Sequence, residues 1–264
     1  MYIRKTWKAG RTVEVKKTYS ARYGKKIARG GNIQHTTNRQ EAVNRRNAIA
    51  ELRRTLNANF GPGDWHAIFT YPQKVPPTPE QAKRDMNLFL RKLRLLYKEQ
   101  GSELKYVQAT EYKHKRIHHH MILPTLADGM EPVRGLWKQI IADTYYTPQE
   151  RAIGEPLYLR FRWSPLDDSG QYGKLAEYFI KETDKSRNDP DAICKRRYRQ
   201  SRNLIHPQPV VEIIDAKKWR QDPAQRKGYY IDKHASFTSI SEDTGMPVQE
   251  TIYVSTARSV RKRC

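Results

Sequence analysis

The apolar residues in the middle of the chain alternate between strand-like and helix-like spacing. Residues 65–71 form a short run rich in aromatic and β-branched residues, which predicts a strand with buried character. Thr78 as N-cap, Pro79 at the first helical position and Gln81 as the partner in a capping box predict a helix start. The apolar stripe of that helix is Ala82, Met86, Phe89, Leu93 and Leu96.

Four further segments continue this order. Residues 104–111 and 116–123 are strand-like runs joined by a short basic link, which predicts an antiparallel hairpin. Helical spacing then covers residues 132–142, and residues 157–163 alternate like a strand. From residue 65 the order is strand, helix, strand, strand, helix, strand, the βαββαβ succession of a ferredoxin-like split unit. We therefore expect an α+β fold, an antiparallel sheet backed by helices, followed by a last helix over 172–182.

Basic residues dominate both ends of the chain. Among residues 1–60 there are 15 lysines and arginines against three acidic residues. Four apolar residues recur there at helical spacing: Ala42, Ile49, Leu52 and Leu56. Four arginines decorate the rest of that helix and are predicted DNA contacts: Arg45, Arg46, Arg53 and Arg54. We expect a basic N-terminal DNA-contacting region (1–60), a catalytic domain (61–184) and a basic C-terminal extension (185–264).

The charge balance of the whole chain indicates a polyanionic partner. The 264 residues include 50 Lys and Arg against 28 Asp and Glu, a formal net charge of +22. Such an excess attracts nucleic acid through phosphate neutralisation and counterion release. A surface that is basic for solubility, or for contact with anionic membranes, is the alternative. No apolar run could cross a membrane, and two cysteines, Cys194 and Cys264, predict neither a disulfide nor a zinc finger.

Three consecutive histidines lie within the second strand of the predicted hairpin. Because side chains alternate across a strand, His118 and His120 share one face and His119 lies on the other. A short hairpin brings Glu111, at the end of the partner strand, over the histidine pair. Two imidazoles and a carboxylate form an open metal site, suited to Mn²⁺ or Mg²⁺, although zinc, cobalt or nickel would also bind such ligands. The alternative is three polar residues on a partly exposed strand.

The last predicted helix carries a candidate nucleophile. Tyr178 and Lys181 are three residues apart and share one side of that helix. A tyrosine has a pKa near about 10, so a nearby cation and a phosphate-polarising metal would help its phenolate develop during attack on phosphorus. Lys174 is a second cationic candidate and Tyr172 an alternative nucleophile. On its own, such a pair is ordinary for an amphipathic helix, and its weight comes from the metal site before it.

Together these residues resemble the rolling-circle replication initiators of the HUH endonuclease class. The resemblance covers residues 65–183 and lies in the strand at 69–71, the histidine triplet preceded by Glu111, and the helix at 175–181. It implies that Glu111, His118 and His120 bind a divalent metal and that Tyr178 attacks the scissile phosphate of single-stranded DNA. Two-tyrosine members separate the pair by three residues, whereas Tyr172 and Tyr178 are six apart. The resemblance is to the single-tyrosine type of filamentous-phage-like and plasmid-like elements.

That resemblance also implies a reaction and its partners. The tyrosine displaces the 3′-oxygen at a replication origin, which leaves a 5′-phosphotyrosine link and a 3′-hydroxyl for a polymerase, and reversal rejoins the ends. No Walker A loop is present, so a host helicase would unwind the DNA, in the cytoplasm of a bacterial host. Arg116 joins the predicted DNA contacts. Two other functions remain open, a basic DNA- or RNA-binding regulator without catalysis and a metal-dependent nuclease that uses an activated water.

Overall fold

The chain folds into two compact units. A computed structural model describes residues 1–20, 23–24, 37–73, 76–113, 116–153, 161–187, 196–216, 219–242 and 244–257. Unit 1 comprises residues 1–59, 168–176 and 205–264, and unit 2 comprises residues 60–167 and 177–204. Most of the two predicted basic regions, 1–60 and 185–264, therefore belongs to the same unit.

The described elements are mostly strands, with five helices among them. In chain order they are β1 (Tyr2–Ala9), β2 (Thr12–Tyr19), α1 (Asn38–Asn59), β3 (Trp65–Phe69), α2 (Pro79–Glu99), β4 (Val107–Lys113), β5 (Arg116–Leu123), α3 (Glu131–Tyr145), α4 (Pro148–Ala152), β6 (Arg162–Pro165), α5 (Gly173–Arg187), β7 (Arg199–Gln200), β8 (Val210–Ile214), β9 (Tyr229–Ile231), β10 (Phe237–Ile240) and β11 (Pro247–Ser255). Within the described residues, no helix is long and apolar enough to span a membrane.

Unit 1 is built on an antiparallel sheet with the strand order β10-β11-β2-β1-β8, and β9 pairs with β11. Helix α1 packs against this sheet and buries Leu52 and Leu56 completely. At the turn between β1 and β2, Gly10 has a φ of 55°, and a Cβ there would lie 1.9 Å from the carbonyl oxygen of Asn57 in α1. Only glycine therefore fits where the hairpin meets the helix.

Unit 2 contains a second antiparallel sheet, with the strand order β6-β3-β5-β4-β7. One face of this sheet is apolar because alternate residues such as Phe69 and Met121 point to it, and α2 and α3 cover that face. Phe89 of α2 and Trp137 of α3 complete the core, with ring centroids 5.2 Å apart. The mixed α+β architecture with antiparallel sheets backed by helices is thereby confirmed.

Helix α2 begins as the sequence predicts, with one correction. The Thr78 side chain accepts a hydrogen bond from the Gln81 backbone N–H at 3.2 Å. The predicted capping box is wrong in its second half, because the Gln81 side chain donates to Asp85 at 3.0 Å. Most of the strand predicted over 157–163 lies outside the described residues, and the described strand β6 begins at Arg162.

Candidate active site

The second face of the unit 2 sheet collects polar side chains. Residues directly opposite on neighbouring strands point to the same face, and register pairs Arg162 with Ile68 and Ile68 with His120. Glu111 pairs with His118 in the same way. His66 stands two residues before Ile68 and so shares this face. The strands therefore place Arg162, His66, His118, His120 and Glu111 on one surface.

His120 is the centre of this cluster. Its Nε2 lies 3.1 Å from Oε2 of Glu111, and its Nδ1 lies 3.3 Å from Nε2 of His66. Both contacts are satisfied if His120 donates to the carboxylate and accepts from His66. The His66 and His120 rings stack at 24° with centroids 5.5 Å apart. Burial and the neighbouring His120 lower the pKa of His66 to about 4, so His66 is neutral at physiological pH.

Glu111 remains ionised although it is buried. The hydrogen bond from His120 lowers the pKa of Glu111, burial opposes this, and a hydrogen bond with Glu182 and the charge of His118 add to the lowering. His118 is half-buried opposite Glu111 in the register. Two carboxylates and three imidazoles thus meet in a chain that is otherwise strongly basic.

His119 faces the apolar side of the sheet, as the alternation predicts. Its Nε2 lies 3.0 Å from the hydroxyl of Tyr71, and its Nδ1 lies 2.9 Å from the hydroxyl of Thr110. Complete burial is the main cause that lowers the pKa of His119 to about 3. This neutral, fully bonded imidazole belongs to the core and points away from His118 and His120.

Helix α5 brings an aromatic pair over the cluster. The ring of Tyr178 lies 5.4 Å from His120 and 6.2 Å from His66, centroid to centroid. Next to it, Phe179 is buried and contacts the same two imidazoles. Tyr178 remains 37% exposed, so its phenol is open to a ligand from solvent while it touches the histidines.

Charges around Tyr178 keep its phenol protonated. Burial is the largest cause that raises the pKa of Tyr178, followed by the carboxylates of Glu111 and Glu182. Arg162 on β6 acts in the opposite direction and lowers this pKa. Lys181, the cation predicted for this role, lies one turn further on α5 with an exposed side chain. The guanidinium that acts on the phenol therefore comes from a strand.

Tyr172, the alternative nucleophile, lies in a different environment. Its side chain is 4% exposed, and its backbone N–H donates to Oδ1 of Asn57 at 2.9 Å. It belongs to unit 1, whereas Tyr178 and the histidine triplet belong to unit 2. The structure places only Tyr178 beside the imidazoles.

The five predicted DNA-contacting arginines differ in exposure. Arg46 and Arg116 have exposed side chains, and Arg45 is partly buried. Arg53 is buried and contacts Glu14 at 2.7 Å and Glu250 at 3.2 Å. Arg54 contacts Glu14 at 2.7 Å and lies over the ring of Trp7. For Arg53, this burial and pairing argue against the predicted contact with DNA.

His66, Arg162 and Glu182 were missed by sequence reasoning. A histidine in the first strand of the sheet is a signal that the alternation could have used, since residues 66 and 68 share a face. Glu182 lies four residues after Tyr178 on α5, on the same side of the helix. Arg162 required the pairing of β6 with β3, which no local pattern encodes.

The donor set fits a divalent cation in chemical type. Imidazole nitrogens and carboxylate oxygens are the ligands that such ions take, and the hydrogen-bonded carboxylates of Glu111 and Glu182 are an arrangement that a cation would favour. In the residues that the structure describes, no three His, Cys, Asp or Glu side chains already form a metal shell, and His120 and Glu111 bond to each other instead.

Comparison with known proteins bears on the same part of the chain. No curated protein and no solved structure matches the chain significantly. A family model does match, over the segment that contains the sheet of unit 2, the histidine triplet and helix α5. Residues 65–187 match the model of the ORF2 family of replication-associated proteins, which is consistent with a rolling-circle replication initiator.

Proposed function

We propose that this protein is a replication initiator that nicks single-stranded DNA at an origin by tyrosine transesterification and belongs to the single-tyrosine HUH type. One observation carries the proposal: a partly exposed tyrosine, Tyr178, contacts the buried His120 that is bonded to Glu111. The family match over the same residues supports replication as the setting. The strand order β6-β3-β5-β4 supports the ferredoxin-like split unit.

His118, His120 and Glu111 would hold the divalent metal, Mn²⁺ or Mg²⁺. When bound, such an ion polarises a phosphoryl oxygen and offsets the charge that develops on the phosphorane. His66 contributes from behind these residues, because its contact with His120 Nδ1 fixes the orientation in which His120 presents Nε2. His66 is therefore a positioning residue for the predicted ligand.

Tyr178 would supply the nucleophilic oxygen. Its Oη forms a bond to phosphorus as the bond from phosphorus to the 3′-oxygen breaks, which leaves a 5′-phosphotyrosine and a 3′-hydroxyl. The phenolic proton must leave during attack, and the raised pKa of Tyr178 opposes this in the free protein. Arg162 acts against that rise and shares a sheet face with His120, so we assign it the cationic role first predicted for Lys181.

The reverse reaction would rejoin ends when a later 3′-hydroxyl attacks the phosphotyrosine. Unwinding and extension would then rest on a host helicase and polymerase, in the cytoplasm of a bacterial host. Arg46 and Arg116 are the exposed predicted arginines that remain suited to contact the DNA backbone.

The proposal is tested by incubating the protein with Mn²⁺ and labelled single-stranded oligonucleotides from its own genetic element, followed by denaturing electrophoresis. We expect cleavage and a labelled protein band with wild type and Tyr172→Phe, and neither with Tyr178→Phe. Chelation of the metal and Glu111→Gln should each abolish cleavage.

Two other results would replace this function with the alternatives. Cleavage without any labelled protein band would indicate a nuclease that activates water. Binding without cleavage, with every metal and with oligonucleotides that tile the element, would indicate a regulator.

A further inference from the structure

A pocket of about 350 Å³ on the sheet of unit 1 gathers three cationic side chains. Arg4 on β1, Lys17 on β2 and Arg220 line it, together with Asp215. This pocket lies on the opposite face of the sheet from Glu14 and Trp7, which α1 contacts, because Arg4 and Lys17 alternate with them along β1 and β2.

Register forces two of these cations together. Arg4 lies directly opposite Lys17 on the neighbouring strand, an arrangement of like charges that destabilises a sheet. On the outer side, Arg4 pairs with Glu212 of β8 at 2.9 Å. On the other side, the neighbour of Lys17 is Gln249 of β11, which is neutral. The charge of Arg4 is thus balanced within the sheet, whereas Lys17 faces an uncharged partner there.

Gln249 organises the pocket from beneath. Its side chain is 1% exposed, and its Oε1 accepts a hydrogen bond from Nζ of Lys17 at 2.9 Å. Its Nε2 donates to the backbone carbonyl of Arg220 at 3.2 Å, which holds that residue over the sheet. The hydroxyl of Tyr253 donates to Ala224 at 2.8 Å and fixes the other end of the same segment. One buried amide therefore positions both Lys17 and the backbone of Arg220.

Aromatic rings complete one wall. Nζ of Lys17 lies 5.6 Å from the ring centroid of Trp219, and Tyr2 contacts the same indole at 5.3 Å. These contacts fix the direction of the lysine stem. Burial, and then the charges of Arg4 and Arg220, lower the pKa of Lys17. An anion between the three cations would relieve their repulsion.

We propose that this pocket binds a backbone phosphate of DNA. A phosphate is the anion that two guanidinium groups and an ammonium recognise best, since guanidinium forks match its oxygens. Glu212 and Asp215 border the pocket and favour one singly charged phosphodiester over a more highly charged anion. The choice of DNA rests on the proposed function, while the phosphate site itself rests on the geometry of unit 1.

Salt-dependent binding tests the pocket in the full-length protein. Anisotropy of a fluorescein-labelled oligodeoxythymidylate, and of a labelled duplex in a second arm, is measured in EDTA over a series of KCl concentrations. The variants are Lys17→Gln and Arg220→Gln, and the matched control is Lys227→Gln, an exposed lysine of unit 1 outside the pocket. Circular dichroism checks the fold, and the exposed Arg220→Gln keeps the test valid if Lys17→Gln unfolds.

We expect each pocket variant to weaken binding about 5- to 10-fold and to lower the slope of log K against log [KCl] by about 0.7 on single strands or about 0.9 on duplex. The arm that changes identifies whether the phosphate comes from single or double strands. Slopes equal to that of Lys227→Gln in both arms would overturn the site. Because EDTA prevents cleavage, this outcome is independent of whether Tyr178 acts as a nucleophile.

Discussion

Arg53 separates the structural from the DNA-binding use of arginine on helix α1. Its guanidinium is buried between Glu14 and Glu250, and these carboxylates raise its pKa against the effect of burial. Arg53→Met would remove the cation, keep much of the volume and leave two buried carboxylates with less compensation. Removing one partner from a buried ion pair costs about 3–5 kcal/mol.

The lower end of that range applies here, because other cations remain. Glu14 keeps Arg54 at 2.7 Å, and Glu250 keeps Lys16 at 3.3 Å. A loss of about 3 kcal/mol shifts the urea midpoint by roughly 1–3 M for a slope of about 1–3 kcal/mol per M. Arg46→Met on the exposed side of α1 is the matched control, with an expected change within about 0.5 kcal/mol.

Urea unfolding followed by circular dichroism measures both variants. If Arg53→Met shifts the midpoint no more than Arg46→Met, the buried network does not stabilise unit 1 and the reasoning is refuted. The same two proteins should behave in the opposite way with DNA. Arg46→Met should lower the salt slope of binding by about 1, whereas folded Arg53→Met should not.

Further predictions concern the turn of unit 1, the core of unit 2 and the site. Gly10→Ala should destabilise unit 1 by at least about 1–3 kcal/mol in urea unfolding, since residue 10 has a positive φ and its Cβ would meet Asn57, whereas Gly24→Ala, with open space around it, should cost less. Burial raises the pKa of Asp85, so its contribution to stability is present below the unfolded-state pKa of about 4 and is lost as pH rises through the higher folded-state pKa; wild type should therefore lose stability relative to Asp85→Asn between pH 4 and pH 7, and parallel urea midpoints would contradict this. His66→Ala should reduce nicking about 10- to 100-fold at limiting Mn²⁺, with partial recovery at saturating Mn²⁺, and the absence of any metal-dependent recovery would argue against a positioning role. Arg162→Ala should slow nicking more than Lys181→Ala in a single-turnover time course, and the reverse order would return the cationic role to Lys181.

Local patterns predicted the parts of the fold that local physics controls. The face shared by His118 and His120 follows from the two-residue period of a strand, and the start of α2 follows from Thr78 and Pro79. In β1, the alternation of Ile3, Trp7 and Ala9 before Gly10 was an available strand signal. The density of lysine and arginine in this segment obscured that signal, so it was interpreted only as a basic arm.

Contacts between distant segments could not be predicted in this way. Arg53 is buried because Glu14 and Glu250, 39 and 197 residues away, meet at it in the folded sheet. The contact of His66 with His120 spans 54 residues and requires the register between β3 and β5. Helical spacing placed Lys181 near Tyr178, but the charge that acts on the phenol comes from Arg162 on a separate strand.

The most direct test of the central claim is the chemical identity of the bond between protein and DNA. After reaction with a single-stranded origin oligonucleotide and Mn²⁺, the protein is digested with trypsin and nuclease, and the modified peptide is sequenced by mass spectrometry. We predict a nucleotide attached through its 5′-phosphate to Tyr178, and a free 3′-hydroxyl on the released strand. Attachment at Tyr172, or complete cleavage with both tyrosines unmodified, would contradict the account.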